Sequence, residues 1–199
     1  MKGKMVMKKF PIALIISALC LNFLPAAEVA VETDEEENLL VNGSFEEPGK
    51  DELTAKKWDK AGYKPAIRTQ EKAFSGKYSM KIAGDGKNYY GLRQIIPGSK
   101  LQGKKKLEVS GCFYYEKDLT GHFFPIFFIV SADGKQFWPP SRARKGSDPK
   151  EKWFKAGTTL DLSKYTNIRH VEIYTLGWKY GNKRFSGTAY IDDFEAFAE

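Results

Sequence analysis

The sequence predicts an all-β fold, an antiparallel β-sandwich of the jelly-roll kind, and three observations carry that reading. Apolar residues recur at every second position in short segments, as at 78–82 and 171–176, the pattern of a strand with one buried face. Turn-forming clusters punctuate those segments at 75–77, 84–86, 97–99, 132–134 and 181–182. No segment sustains a 3.6-residue period between helix caps. About nine or ten strands with short connections, in a chain without internal repeats, make one sandwich domain.

The chain opens with a segment outside that domain. Lys2, Lys4, Lys8 and Lys9 form a basic head, and residues 10–24 an apolar stretch too short to span a bilayer comfortably. Pro25-Ala26-Ala27 then supplies small residues. Together these read as a secretory signal peptide over residues 1–27, with no membrane span. The mature protein is therefore expected to be secreted, periplasmic or on the cell surface. Leu19 before Cys20 is bulky for a lipid-attachment site, so no lipid anchor is expected.

Removing residues 1–27 takes four lysines and no acid, and the net charge falls from +7 to +3. The basic balance is partly a targeting feature and supports no nucleic-acid partner. The mature chain keeps one cysteine, Cys112, which rules out an intramolecular disulfide and reads as a small buried hydrophobe. Residues 28–37 include Glu32-Thr33-Asp34-Glu35-Glu36-Glu37 and read as a solvated acidic spacer.

The domain, residues 38–199, starts at Asn38-Leu39-Leu40-Val41-Asn42-Gly43-Ser44-Phe45-Glu46. Leu39 and Val41 read as one side of a short strand, Asn42-Gly43 as its turn and Phe45 as an apolar anchor. A carboxylate beside a buried aromatic is costly unless paired, so Glu46 is expected to meet a cation or water. Alternating strands follow at 78–82 and 107–115. Residues 123–130 are a continuous apolar run containing Pro125, a buried strand with an edge or bulge at the proline. Alternation returns at 171–176 and, in part, at 189–197. Phe45, Phe113, Phe127 and Phe154 read as core.

In order and spacing, the 38–46 stretch, Trp58, Phe74-Ser75-Gly76-Lys77-Tyr78-Ser79-Met80-Lys81-Ile82, Tyr90-Gly91-Leu92-Arg93-Gln94, residues 107–115 and Ala189-Tyr190-Ile191-Asp192-Asp193-Phe194 resemble carbohydrate-binding modules of the family 4, 9 and 22 type. The resemblance implies a galactose-binding-domain-like jelly roll and a carbohydrate partner, a polysaccharide or glycan. It also implies a structural Ca²⁺ held by Glu46, the Lys77 carbonyl and Asp192. By strand parity Asp192 points with Tyr190 and Phe194, and Asp193 points outward unless a bulge exchanges the two. Trp58 and Trp153 would be structural. Such modules accompany glycoside hydrolases, so a separately encoded hydrolase is a candidate partner.

No catalytic signature is present. His122 and His170 are the only histidines and lie in no zinc spacing; neither a Gly-x-Ser-x-Gly elbow nor a phosphate-binding glycine loop occurs. The chain is therefore expected not to be an enzyme, with a small polysaccharide lyase or hydrolase as an alternative because acid pairs are common. An adhesion domain using an aromatic face on a protein is the other alternative. An indole or phenol stacks on the C–H face of a sugar while polar groups take its hydroxyls. Trp178 and Tyr180 share a parity and would form the platform, with Trp138 or Tyr90 completing it and Arg93 on the hydroxyls. The lysine run 104–106 reads as a solvated loop.

Overall fold

The computed structural model describes residues 37–62, 64–180 and 183–199. The expected signal peptide with Cys20, the expected spacer up to residue 36 and the turn expected at 181–182 lie outside them. Among the described residues, two sheets pack face to face. The first runs β1 (Asp59–Gly62), β5 (Tyr90–Pro97), β10 (Ile168–Tyr180), β7 (His122–Ala132), β8 (Lys135–Phe137); β2 (Lys64–Pro65) joins β5 and β11 (Lys183–Arg184) joins β10. The second runs β3 (Ile67–Thr69), β4 (Ser79–Asp85), β12 (Ser186–Ala198), β6 (Lys106–Tyr115), β9 (Trp153–Asp161). All pairings are antiparallel except β2 on β5. Among the strands not read from the sequence, β2, β3, β8 and β11 are pairs and triplets of residues, too short to leave an alternating signature, whereas β9 runs for nine residues.

Both sheets turn their apolar parity inward. Leu92, Phe128 and Ile173 from the first sheet meet Ile82, Phe113 and Ile191 from the second, all essentially inaccessible to water. Burying such side chains contributes about 1.5–3 kcal/mol each, before chain entropy is set against it. The β7–β8 hairpin turns on Asp133 and Gly134, both at positive φ (49° and 72°). That is the two-residue turn whose twist matches the strands, and Asp-Gly suits it.

The opening stretch departs from expectation. Residues 39–41 form no strand. Leu40 is buried and Val41 exposed, the reverse of the predicted pairing of Leu39 with Val41. The reason is that side chains replace a ladder. The Gln94 amide donates to the Val41 carbonyl (2.9 Å) and accepts from its N–H (2.7 Å). The Asn38 amide oxygen accepts from Ala196 N–H (2.9 Å), and Leu39 N–H donates to the Ala196 carbonyl (2.8 Å). Phe194 N–H donates to the Gly43 carbonyl (2.9 Å), so the first and last segments meet. Gly43 is required there, because a Cβ would overlap the Phe194 carbonyl. Phe45 packs on Trp58 (5.2 Å between ring centroids), and Trp58 on Phe194 (5.7 Å).

Two bulges decide which side chains face outward. On β12 the register with β6 shifts between Asp192 and Glu195, with Asp193 at φ 45°. Phe194 therefore turns inward while Asp192 stays on the outer side with Tyr190, so the parity that grouped Asp192 with Phe194 does not hold. On β7 the register with β10 shifts opposite Thr175. Pro125 has no N–H to give, and the Thr175 hydroxyl donates to its carbonyl (2.7 Å). The expected bulge at the proline is present, and it puts Phe124 and Phe127, three residues apart, on one face.

Beyond β8 the chain turns back along β7. Ile126 bridges Arg142, Arg144 N–H donates to the Phe123 carbonyl (2.8 Å), and Phe128 N–H donates to the Ser141 hydroxyl (3.1 Å).

Candidate functional site

The outer face of the first sheet gathers one set of side chains. On β10, Val171, Ile173 and Thr175 point to the core, so Glu172, Tyr174, Leu176 and Trp178 point out. Across the ladder Tyr174 opposes Phe127 on one side and Arg93 on the other; Trp178 opposes His122. The rings form a continuous strip: Tyr89 meets Trp178 (5.4 Å), Trp178 meets Phe127 (5.8 Å), and Phe127 meets Phe124 (5.5 Å) and Tyr174 (6.1 Å). Tyr89 is 43% exposed at one end of this strip.

Polar groups border the strip. Arg93 donates to Glu172 (2.8 Å) and to the Tyr174 hydroxyl (3.3 Å), and Tyr174 donates to Glu172 (2.5 Å). His170 Nε2 lies 3.5 Å from the other Glu172 oxygen, and Asp59 lies 3.9 Å from Arg93 Nε. Burial, with the hydrogen bond to Glu172, raises the Tyr174 phenol above its ordinary value, so it stays a neutral donor. Arg93 Nε is buried without a hydrogen-bond acceptor, the Asp59 carboxylate being its nearest charged neighbour at 3.9 Å. A flat apolar strip beside a fixed set of donors and acceptors can hold a ring with one apolar face and hydroxyls at its rim.

The predicted platform residues divide. Trp178 and Arg93 share this face, Trp178 from within β10. Tyr180 ends β10, and its side chain is outside the described set. Trp138 lies one residue past β8 and is 62% exposed. Tyr90 is a correction: it is buried at 1% exposure against Phe185, and its neighbour Tyr89 faces outward instead. Phe127, read as core, is on the face, as are Phe124, Tyr174 and Glu172. The Pro125 bulge hides the first two from a parity argument, whereas the alternation of β10 points to Tyr174 and Glu172. Tyr90→Ala is accordingly expected to cost about 3–5 kcal/mol of stability, and Tyr89→Ala under about 1 kcal/mol. Urea unfolding of the two variants measures both, and equal losses would contradict the assignment of faces.

Trp153, expected to be structural, packs against two other aromatic rings. It sits half-buried on the outer side of the second sheet, against Phe74 (5.8 Å) and Tyr114 (5.7 Å). There Lys72 Nζ lies over the Tyr114 ring at 4.6 Å, so one of these rings already has a partner.

The predicted metal residues converge on one loop. Glu46 Oε1 accepts from the N–H groups of Lys77 (2.8 Å) and Tyr78 (2.9 Å). Asp192 Oδ2 accepts from Phe74 (2.8 Å) and Ser75 (3.1 Å), and Asp193 accepts from the Ser75 hydroxyl (2.7 Å). Glu46 thus meets backbone amides through one carboxylate oxygen. Beside it Arg68, buried over the Tyr78 ring, donates to the carbonyls of Phe45 and Glu46 (both 2.7 Å). Asp192 is fully buried, and burial pushes its carboxyl up to about 6. Cys112 opposes it across the ladder, and burial pushes that thiol up to about 11, as fits an inert residue.

No protein-family model matches the chain, and a search of curated proteins finds no match. Solved structures do match. The CBM22-1 xylan-binding domain of Xyn10C from Paenibacillus barcinonensis aligns over 82% of this chain and 95% of its own, with a TM-score of 0.55 and 16% identity. A family 61 carbohydrate-binding module in complex with β-1,4-galactotriose aligns over 82% and 100%, with a TM-score of 0.53 and 19% identity. The enzymatically active domain of tailspike protein 4 from bacteriophage CBA120 aligns over 81% of this chain and 21% of its own, with a TM-score of 0.52 and 11% identity. The chain has the β-sandwich fold of these carbohydrate-binding modules.

Proposed function

We propose that this chain is an exported, non-catalytic module that binds a polysaccharide through the outer face of its first sheet. One observation carries the reading: the Tyr89–Trp178–Phe127–Tyr174 strip runs alongside the Arg93–Glu172 network on a single face. The fold shared with a xylan-binding domain and with a module in complex with β-1,4-galactotriose supports it, and residues 1–27 support export. Glu172 and Asp59 both lean on Arg93, an arrangement that orders hydrogen bonds rather than freeing a proton donor. A separately encoded hydrolase would then act on the polymer that this module holds. The test is calorimetric titration with soluble xylan, galactan, glucan and mannan, run beside an assay for released reducing ends. Saturable binding without product is expected. Product release would make the chain an enzyme, and silence across the panel would remove the carbohydrate reading.

A calcium ion at the 74–78 loop belongs to the same proposal. Glu46, Asp192 and Asp193 all hold that loop, and among the described residues none of them forms a salt bridge. One buried and two half-buried acids without a cationic partner fit a hard divalent ion. The described side chains supply no ready cluster of three ligands, so backbone carbonyls such as that of Lys77 would have to complete the shell. Added calcium is expected to raise stability by roughly 2.7 kcal/mol at a hundredfold excess over its dissociation constant, and Asp192→Asn to abolish the gain. The metal-free protein gives an internal check. A carboxyl raised from 3.8 to about 6 binds more protons folded than unfolded, so the stability this group contributes is full below pH 3.8 and is lost as pH rises through 6. Calcium should remove that loss. Identical melting curves in calcium and in chelator would dismiss the site.

A further inference from the structure

At the end of the aromatic strip a cleft of about 500 Å³ opens, lined by His122, Arg144 and Arg184 with Gly121, Phe123 and Ala143, and by no acid. His122 is the cross-strand partner of Trp178, so the cleft adjoins the strip within the reach of neighbouring side chains. The two arginines are fixed by their backbones on either side of Gly121. Arg144 donates its N–H to Phe123 and a guanidinium N–H to the Gly121 carbonyl (3.3 Å). A Cβ on Gly121 would overlap the Arg184 carbonyl, and the Arg184 guanidinium reaches the Gly86 carbonyl (3.4 Å).

Neither arginine has a carboxylate partner among the described residues, whereas Arg68, Arg93 and Arg142 each have one. Arg144 Nε is moreover buried without an acceptor. A guanidinium that spends one N–H on a carbonyl and faces no carboxylate retains further donors for an oxyanion. Guanidinium groups favour planar or tetrahedral oxyanions, which they hold through paired N–H donors.

We infer that Arg144 and Arg184 form an anion subsite that selects acidic polysaccharides, in which a sugar stacked on the Trp178 strip is followed by one bearing a carboxylate or a sulfate ester. The inference rests on the proposed glycan-binding face and adds the class of ligand. A neutral polymer would leave the cleft unsatisfied, so acid-bearing chains bind more tightly than their neutral counterparts.

The experiment compares the full exported protein on polygalacturonate and its fully methyl-esterified form, and on dextran sulfate and dextran, at 150 mM salt. Tighter binding of the first pair's acid identifies a carboxylate ligand, and of the second pair's acid a sulfate. Arg144→Gln/Arg184→Gln should weaken binding of the preferred acid at least tenfold with melting temperature monitored. Arg184→Gln alone tests an exposed position where folding is not at stake, and the lysine double variant should restore part of the affinity. A triple Lys104→Gln/Lys105→Gln/Lys106→Gln variant, which removes more charge elsewhere, should weaken binding less than twofold. If it weakens binding as much as the arginine variant, the attraction is diffuse charge and the subsite is wrong. Equal affinity for acid and neutral forms overturns the inference and leaves the carbohydrate reading standing; no binding to any polymer overturns both.

Discussion

Trp178→Ala is expected to abolish most glycan binding while lowering the melting temperature by only a few degrees. A sugar that covers roughly 100 Å² of indole face gains about 2.5 kcal/mol from that contact, so its loss weakens binding by roughly fifty- to a hundredfold. The stability cost is smaller because the ring is half-buried at the surface, where it loses edge contacts with Tyr89 and Phe127, worth about 1 kcal/mol. Calorimetric titration and thermal melting on the same preparation separate the two effects. A large drop in melting temperature with unchanged affinity would make Trp178 a packing residue and move the ligand elsewhere.

Phe185→Ala is expected to cost about 3–5 kcal/mol of stability, as much as Tyr90→Ala. Phe185 is 1% exposed and stacks on Phe123 at 5.3 Å and 26°. Its ring fills the space left by two glycines, Gly84 on β4 and Gly177 on β10, where a Cβ on either would overlap it. It therefore ties the two sheets together directly beneath the strip, and its N–H donates to the Trp178 carbonyl (3.2 Å). Affinity should fall along with stability, because the cavity lets the end of β10 relax. Gly177→Ala should be destabilising for the opposite reason, overpacking, and less so when combined with Phe185→Leu. Chemical denaturation of the four proteins measures the coupling; additive losses would mean that Gly177 and Phe185 do not share the space.

The all-β class and the long strands were legible because alternation survives wherever one sheet face is buried and the other is not. Trp178 and Arg93 could be assigned to a surface role on their type and position. The misassignments have physical causes. Tyr89 and Tyr90 are adjacent tyrosines, and composition cannot tell which of two neighbours points inward. Parity fails at a bulge, which is why Phe127 was read as core and Asp192 grouped with Phe194. Residues 39–41 looked like a strand, but the Gln94 amide satisfies the Val41 backbone from 53 positions away and Leu39 N–H donates to Ala196, contacts that no local pattern encodes. The arginine cleft left no signal either, since Arg144 and Arg184 lie 40 positions apart and only the fold places them about Gly121.

The segment that returns along β7 has a consequence for how the protein behaves at high concentration. β7 is an eleven-residue strand, His122–Ala132, made largely of phenylalanine, isoleucine and valine. A flat apolar strand with open N–H and C=O groups would recruit further chains edge to edge, the route to polymerisation. β8 pairs only its last three residues. Ser141, Arg142 and Arg144 occupy bonding positions along the rest, and Pro139 and Pro140 have no N–H with which to extend the ladder outward. The face can thus remain sticky enough to hold a ligand while its most apolar strand stays closed to other copies of itself, keeping recognition apart from aggregation.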